Sequence, residues 1–165
     1  MSDPADVARR RRAAAARRWR PDRINLLLVA EAPPSALDRY FYFEDVPTHD
    51  SLFRHVVEAV LGEKPTRDKA PYLDELRTQG VFLIDLSVDP FDDRREAIPR
   101  CVPDLLRRVR DLNPARIVLI GAAVYDAAYA ALGQAGLPIV DQRLPYPGSG
   151  QQRRFLEGFR ALTSK

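Results

Sequence analysis

Four short apolar runs punctuate a chain whose other segments carry apolar residues at helical spacing. Ile24-Asn25-Leu26-Leu27-Leu28-Val29-Ala30 is nearly continuous and stops before Pro33-Pro34. That is the pattern of a strand buried on both faces of a parallel sheet. Residues 81–86, after Gly80, and residues 116–121, after Asn113-Pro114, repeat it. Leu137-Pro138-Ile139-Val140 is a weaker fourth run, since its proline suits only an edge. Between the runs, residues 48–61 start at Thr48 as a cap and place Leu52, Phe53, Val56, Val57 and Val60 on one helical face, ending at Gly62. Further helices are predicted over 72–79, 101–112, 122–132 and 151–162, and a first one over 5–20, built from alanine and arginine. Strands alternating with helices imply right-handed crossovers and a mostly parallel sheet. The fold class is therefore α/β.

Composition narrows the function classes. The chain has 165 residues, enough for one domain with a real core. Its 45% hydrophobic and 30% charged residues belong to a folded chain rather than a disordered one. No apolar run approaches the roughly 20 residues of a membrane span. The N-terminus lacks the apolar stretch of a secretory signal. Its alanine and arginine resemble a transit peptide, against which three aspartates argue, so the expected compartment is cytoplasmic. One cysteine, Cys101, and two histidines, His49 and His55, leave no basis for a disulfide or a Cys/His metal centre. Neither a cofactor nor a metal is expected.

Charge is unevenly spread. Residues 1–23 hold eight arginines and three aspartates, a net +5, so the rest of the chain is −2 within a total of +3. The reading that follows is a basic, arginine-rich helix or arm over residues 1–22, attached to an α/β body over 23–165. Removing the arm is expected to leave the body folded. Arginine with little aromatic company suits phosphate contact rather than base reading.

In a parallel α/β sheet, ligands bind at the carboxyl ends of the strands. Four segments meet there. Ala30-Glu31-Ala32-Pro33-Pro34 leaves the first strand with a carboxylate at its lip. Asp85-Leu86-Ser87 puts an acid at the end of an apolar strand, where an idle carboxylate is costly. Gly121-Ala122-Ala123 leads into a helix. Leu144-Pro145-Tyr146-Pro147-Gly148-Ser149-Gly150-Gln151 is a stiff loop before the last helix, with glycines that let a ligand approach the backbone.

The strand with a Glu-Ala-Pro turn, the Phe41-Tyr42-Phe43 cluster, the second strand ending in a polar residue and the late Pro-x-Pro-Gly-Ser loop resemble the uracil-DNA glycosylase superfamily. The first turn is similar to the Gly-Glu-Ala-Pro-Gly motif of the thermophile-type enzymes. The late loop resembles the Pro-x-Pro-Ser-Gly loop of the mismatch-specific branch. The likeness spans nearly all of the chain after Pro21. It implies a three-layer α/β/α sandwich around a central four-stranded, mostly parallel sheet. It also implies a monomer that acts on DNA in repair, flips a damaged base and hydrolyses its N-glycosidic bond without a metal. By this resemblance Glu31 orients or activates water, Asp85 takes the place of the asparagine that reads uracil, and Tyr146 takes that of the late-loop histidine or asparagine. Ala32 and Pro33 shape the base site. Phe43 stacks on the base, with Phe41 as the alternative register. Gly148, Ser149, Gly150 and Gln151 press on the DNA strand or fill the gap left by the flipped base, and Arg153 and Arg154 extend that surface.

This sequence departs from the motifs in ways that bear on substrate. Ala30 and Pro34 stand where the first turn has glycines. Asp85 accepts hydrogen bonds but donates only when protonated, so as a carboxylate it suits a base edge presenting an amino group better than uracil O4. Tyr146 donates, but it is bulkier than histidine and neutral at pH 7. Two other functions fit the same residues: a relative that binds nucleic acid without catalysis, and an α/β enzyme acting on a nucleotide-like small molecule. Neither a Gly-x-Gly-x-x-Gly nor a Gly-Lys-Ser/Thr phosphate loop accompanies the latter. Each residue also has a plain structural use. Glu31 can pair with an arginine, Asp85 can accept nearby backbone N–H groups, the aromatic cluster can pack in the core, and Tyr146 can pin a turn.

Overall fold

The computed structural model describes residues 2–46, 50–66, 68–91, 94–148 and 150–163. Within them the chain forms three parallel strands and seven helices. β1 (Leu26–Ala30) is the central strand, flanked by β2 (Val81–Asp85) and β3 (Ile117–Leu119), in the order β2-β1-β3. The register places Ala30 beside Asp85 and Val29 beside Leu119. The apolar run therefore does what its continuity implies, with Leu27, Leu28, Val29 and Ala30 all buried.

The weak fourth run does not form a strand. Ile139 makes one parallel bridge with Ile117, and Leu144 makes another with Ile120. Pro138 lacks an N–H to continue a ladder, and its carbonyl instead accepts from Ile117 N at 3.0 Å. β2, at the other edge, is closed by a side chain. The Tyr42 hydroxyl donates to Leu83 O at 2.9 Å and accepts from Leu83 N at 2.7 Å, satisfying outward backbone groups that an edge strand would leave open.

The crossover from β1 to β2 carries α2 (Ser51–Leu61) and α3 (Lys69–Thr78); that from β2 to β3 carries α4 (Arg94–Arg100) and α5 (Val102–Leu112). α2 starts at Asp50, whose side chain accepts from Phe53 N at 2.8 Å, and not at Thr48, which lies outside the described residues. It ends at Gly62, whose φ of 76° needs no Cβ accommodation. α6 (Ala122–Gln134) and α7 (Gln152–Thr163) complete the chain. α2 packs on α3 and α7, while α4, α5 and α6 pack on one another.

The N-terminal arm is docked rather than loose. α1 (Pro4–Arg18) is capped by Asp3, and Trp19 at its end is 5% exposed within the core. Arg12 is 7% exposed and donates to Val88 O at 3.0 Å. Arg9 grips Asp89 through two hydrogen bonds of 3.0 and 2.6 Å, and Arg18 pairs with Glu44 at 2.7 Å. Guanidinium groups of Arg18 and Arg77 each sit 5.0 Å from the Trp19 ring. Three of the arm's arginines, Arg9, Arg12 and Arg18, are thus paired with acids of the body.

Candidate functional site

Because β1 sits between β2 and β3, the chain reverses its direction of travel across the sheet after β2. A crevice opens at the carboxyl ends of the strands at such a point. The ladder extends past Ala30, with Leu86 N donating to Ala30 O at 2.7 Å and Ser87 N to Glu31 O at 2.9 Å. On the other side Gly121 N donates to Leu144 O at 3.1 Å, drawing in the late loop. Gly121 has φ 104°, and a Cβ there would meet Tyr146 Cβ at 3.9 Å, so glycine lets the turn into α6 form beside the loop. The loop is also held by Ser51, whose hydroxyl donates to Pro147 O.

These ends enclose a cavity of about 310 Å³, lined by Ala32, Pro33, Pro34, Arg39, Tyr40, Phe41, Asp50, Ser51, Leu52, Leu83, Asp85 and Tyr146. Its size is that of a small-ligand site. Aromatic and proline faces form much of the wall, and three ionisable side chains, Arg39, Asp50 and Asp85, join them with the Tyr146 hydroxyl.

Asp85 is the most perturbed of these groups. Burial pushes its carboxyl up to about 7; Arg108 and Arg12 pull it down, and Asp50 and Glu31 push it further up. Arg108 gives this strand end its rigidity, donating to Asp85 O at 2.8 Å and Leu86 O at 2.7 Å while its Nε bonds Asp104 at 2.8 Å. Tyr146 is 44% exposed at the cavity mouth. Its hydroxyl is raised to about 12 by burial and by the nearby Asp50, Asp85 and Glu31 charges, so it is a hydrogen-bond donor across the working pH range.

Behind the aromatic wall lies Lys69, only 1% exposed. Its Nζ donates to Tyr40 O at 2.9 Å and stands 4.5 Å from the Phe53 ring centroid. Burial lowers its ammonium to about 8, against the pull of Asp50 and Glu44. Phe41 packs edge-on against Phe53 at 5.5 Å. Lys69 therefore ties down the turn that presents Tyr40 and Phe41 to the cavity.

The structure brings together Ala32, Pro33, Phe41, Asp85 and Tyr146 from the residues singled out in the sequence. Phe43 lies elsewhere: it packs edge-on against Tyr40 and under the Arg11 guanidinium, 4.4 Å from its centroid. The alternative register, Phe41, is the aromatic on the cavity. Glu31 is half-buried at the exit of β1, close enough to act electrostatically on Asp85 and Tyr146, yet it does not line the cavity. Gly148, Gly150 and Gln151 follow the Tyr146 turn outside the lining, and Ser149 and His49 lie outside the described residues. Arg153 and Arg154 are exposed on α7, with Arg153 paired to Glu157 at 2.9 Å.

Asp50, Arg39, Ser51, Lys69 and Arg108 were not singled out in the sequence. Asp50 had a legible signal, as a capping residue before an apolar helix. Lys69 and Arg108 had none, because a single cation in a helical segment reads as a solvated position. Among the described residues, no group of three or more His, Cys, Asp or Glu could hold a metal ion. No protein-family model and no curated protein matches the chain.

Proposed function

We propose that this protein is a divergent member of the uracil-DNA glycosylase superfamily, whose cavity receives a base extruded from DNA and whose site hydrolyses the base–sugar bond. In this reading the two helix groups are the outer layers of an α/β/α sandwich, and the bridge at Ile139 marks a vestigial fourth strand. The observation that carries the reading is Asp85, an acid held near 7 on the wall of a base-sized cavity beside Phe41 and Tyr146. A neutral carboxyl offers one O–H donor and one carbonyl acceptor, the same pair that a side-chain amide presents. The mismatch between aspartate and a uracil edge is thereby removed below neutrality: the O–H donates to O4 and the carbonyl accepts from N3–H.

The chemistry follows from charge. As the glycosidic bond breaks, its electron pair leaves with the base as an anion, and a water oxygen bonds to the sugar carbon. The Glu31 carboxylate takes the water proton. The Tyr146 hydroxyl and the neutral Asp85 donate to the developing negative charge, whereas an ionised Asp85 opposes it. Phe41 and Tyr40 supply the apolar faces against which a flipped base packs. The late loop at Gly148, Gly150 and Gln151 presses on the strand.

Glu31 lying off the cavity lining favours a second reading, a relative that binds the base without releasing it. Oligonucleotides carrying uracil, hypoxanthine, xanthine or a mismatch, treated with protein and then alkali, separate the two. Strand cleavage that Glu31→Ala and Asp85→Ala each abolish is the expected result. Salt-sensitive binding without cleavage supports the second reading, and no binding to any oligonucleotide contradicts both.

A further inference from the structure

A second cavity, of about 330 Å³, lies between α1 and β2. Its α1 wall is one helical face extended past the helix end: positions 9, 12, 13, 16, 17 and 20, the i, i+3, i+4, i+7 spacing of neighbours on a helix. Arginines occupy four of these positions, and the alanines at 13 and 16 leave the space between them open. Arg108 adds a fifth guanidinium, while Asp85 is the only acid in the lining.

The arginines are not equivalent. Arg9 and Arg12 are held by Asp89, and Arg108 is held by Asp104 and the end of β2. Those three form a fixed positive wall. Arg17 and Arg20 are exposed and have no side-chain ion pair or hydrogen bond among the described residues. Phe82, Leu83 and Val88 supply an apolar floor. Fixed positive charge over an apolar floor, with two guanidinium forks unspent, matches a phosphate ester better than a hydrated inorganic cation or a neutral ligand.

We propose that this cavity is a phosphate site in which Arg17 and Arg20 bind the phosphate group of a nucleotide. The cavity shares Pro33, Tyr40, Leu83 and Asp85 with the base-sized cavity, so the two adjoin, and a nucleotide spanning both puts its base in one and its phosphate in the other. Naming the ligand a nucleotide rests on the base-site reading; the phosphate site itself does not. The nucleotide is either free or part of a DNA strand.

Titration calorimetry at low ionic strength, where surface charge is least screened, tests the site. The probes are inorganic phosphate, deoxyuridine, deoxyuridine monophosphate and a short lesion-free single strand. Deoxyuridine monophosphate is expected to bind about tenfold or more tighter than deoxyuridine. The double variant Arg17→Gln/Arg20→Gln is expected to erase that difference without changing the melting temperature, since both residues are exposed. Competition by the single strand assigns the phosphate to DNA, and nucleotide binding without such competition assigns it to a free nucleotide. Inorganic phosphate that binds only to the unsubstituted protein, with no binding of deoxyuridine, upholds the phosphate site and counts against the base site. Equal affinity for nucleoside and nucleotide together with no binding of phosphate overturns the proposal. So does undiminished binding of these anions by the double variant.

Discussion

Asp85 sits where a parallel strand runs out of ladder, and its carboxyl keeps a proton near neutrality because burial outweighs the pull of Arg12 and Arg108. A folded-state value of about 7 against an ordinary 3.8 has a definite sign. The native state favours the protonated acid, so Asp85 contributes most to stability below its ordinary value and loses that contribution as pH rises through about 7. Asp85→Asn removes the penalty. Denaturant melts above neutrality are expected to show a gain of up to roughly 4 kcal/mol, fading toward acid pH. A gain independent of pH contradicts the assigned titration. At the same scale, Phe41 and Phe43 show why the aromatic register was not legible. Their segment is an irregular turn without the alternation of a strand, so sequence parity does not say which of the two buried rings lines the cavity. Asp85 and Tyr146 were legible because each is a polar anomaly: one at the end of an apolar strand, the other between two prolines.

Among the elements, β1 to β3 and most of the helices follow from periodicity, with ends shifted by a few residues where caps compete. The helix α4 was not anticipated, since Pro99 inside a charged stretch reads as a breaker. α1 was anticipated as a helix but its docking was not. Arginine blocks look solvated in sequence, and only the partners at Asp89, Glu44 and Val88, far along the chain, reveal their use. Trp19 makes this testable. It is buried with Leu28, Val56, Leu73 and Leu83 around it, so Trp19→Ala is expected to cost about 3–5 kcal/mol in a denaturant melt. Deleting residues 1–22 is expected to lower the unfolding midpoint at least as far. A deletion that leaves the midpoint unchanged restores the picture of a detachable arm.

For the whole molecule, the uneven charge has a spatial meaning. Four of the arm's arginines, Arg9, Arg12, Arg17 and Arg20, line one wall of a cavity whose opposite wall is β2 up to Asp85, so much of the arm's positive charge lies beside the strand ends. None of the helices over the described residues is long and apolar enough to cross a membrane. The aromatic cavity and the arginine-lined cavity share the Asp85 carboxyl, and in the proposed reading the first takes a base and the second its phosphate. The central claim is that Asp85 reads a base while protonated. It is tested most directly by the pH profile of base release from a uracil-bearing oligonucleotide, measured for the unsubstituted protein and for Asp85→Asn. Release by the unsubstituted protein is expected to fall as pH rises through about 7, while Asp85→Asn, whose amide cannot ionise, keeps releasing uracil above that point. Superimposable profiles, or no release from either protein at any pH, contradict the claim.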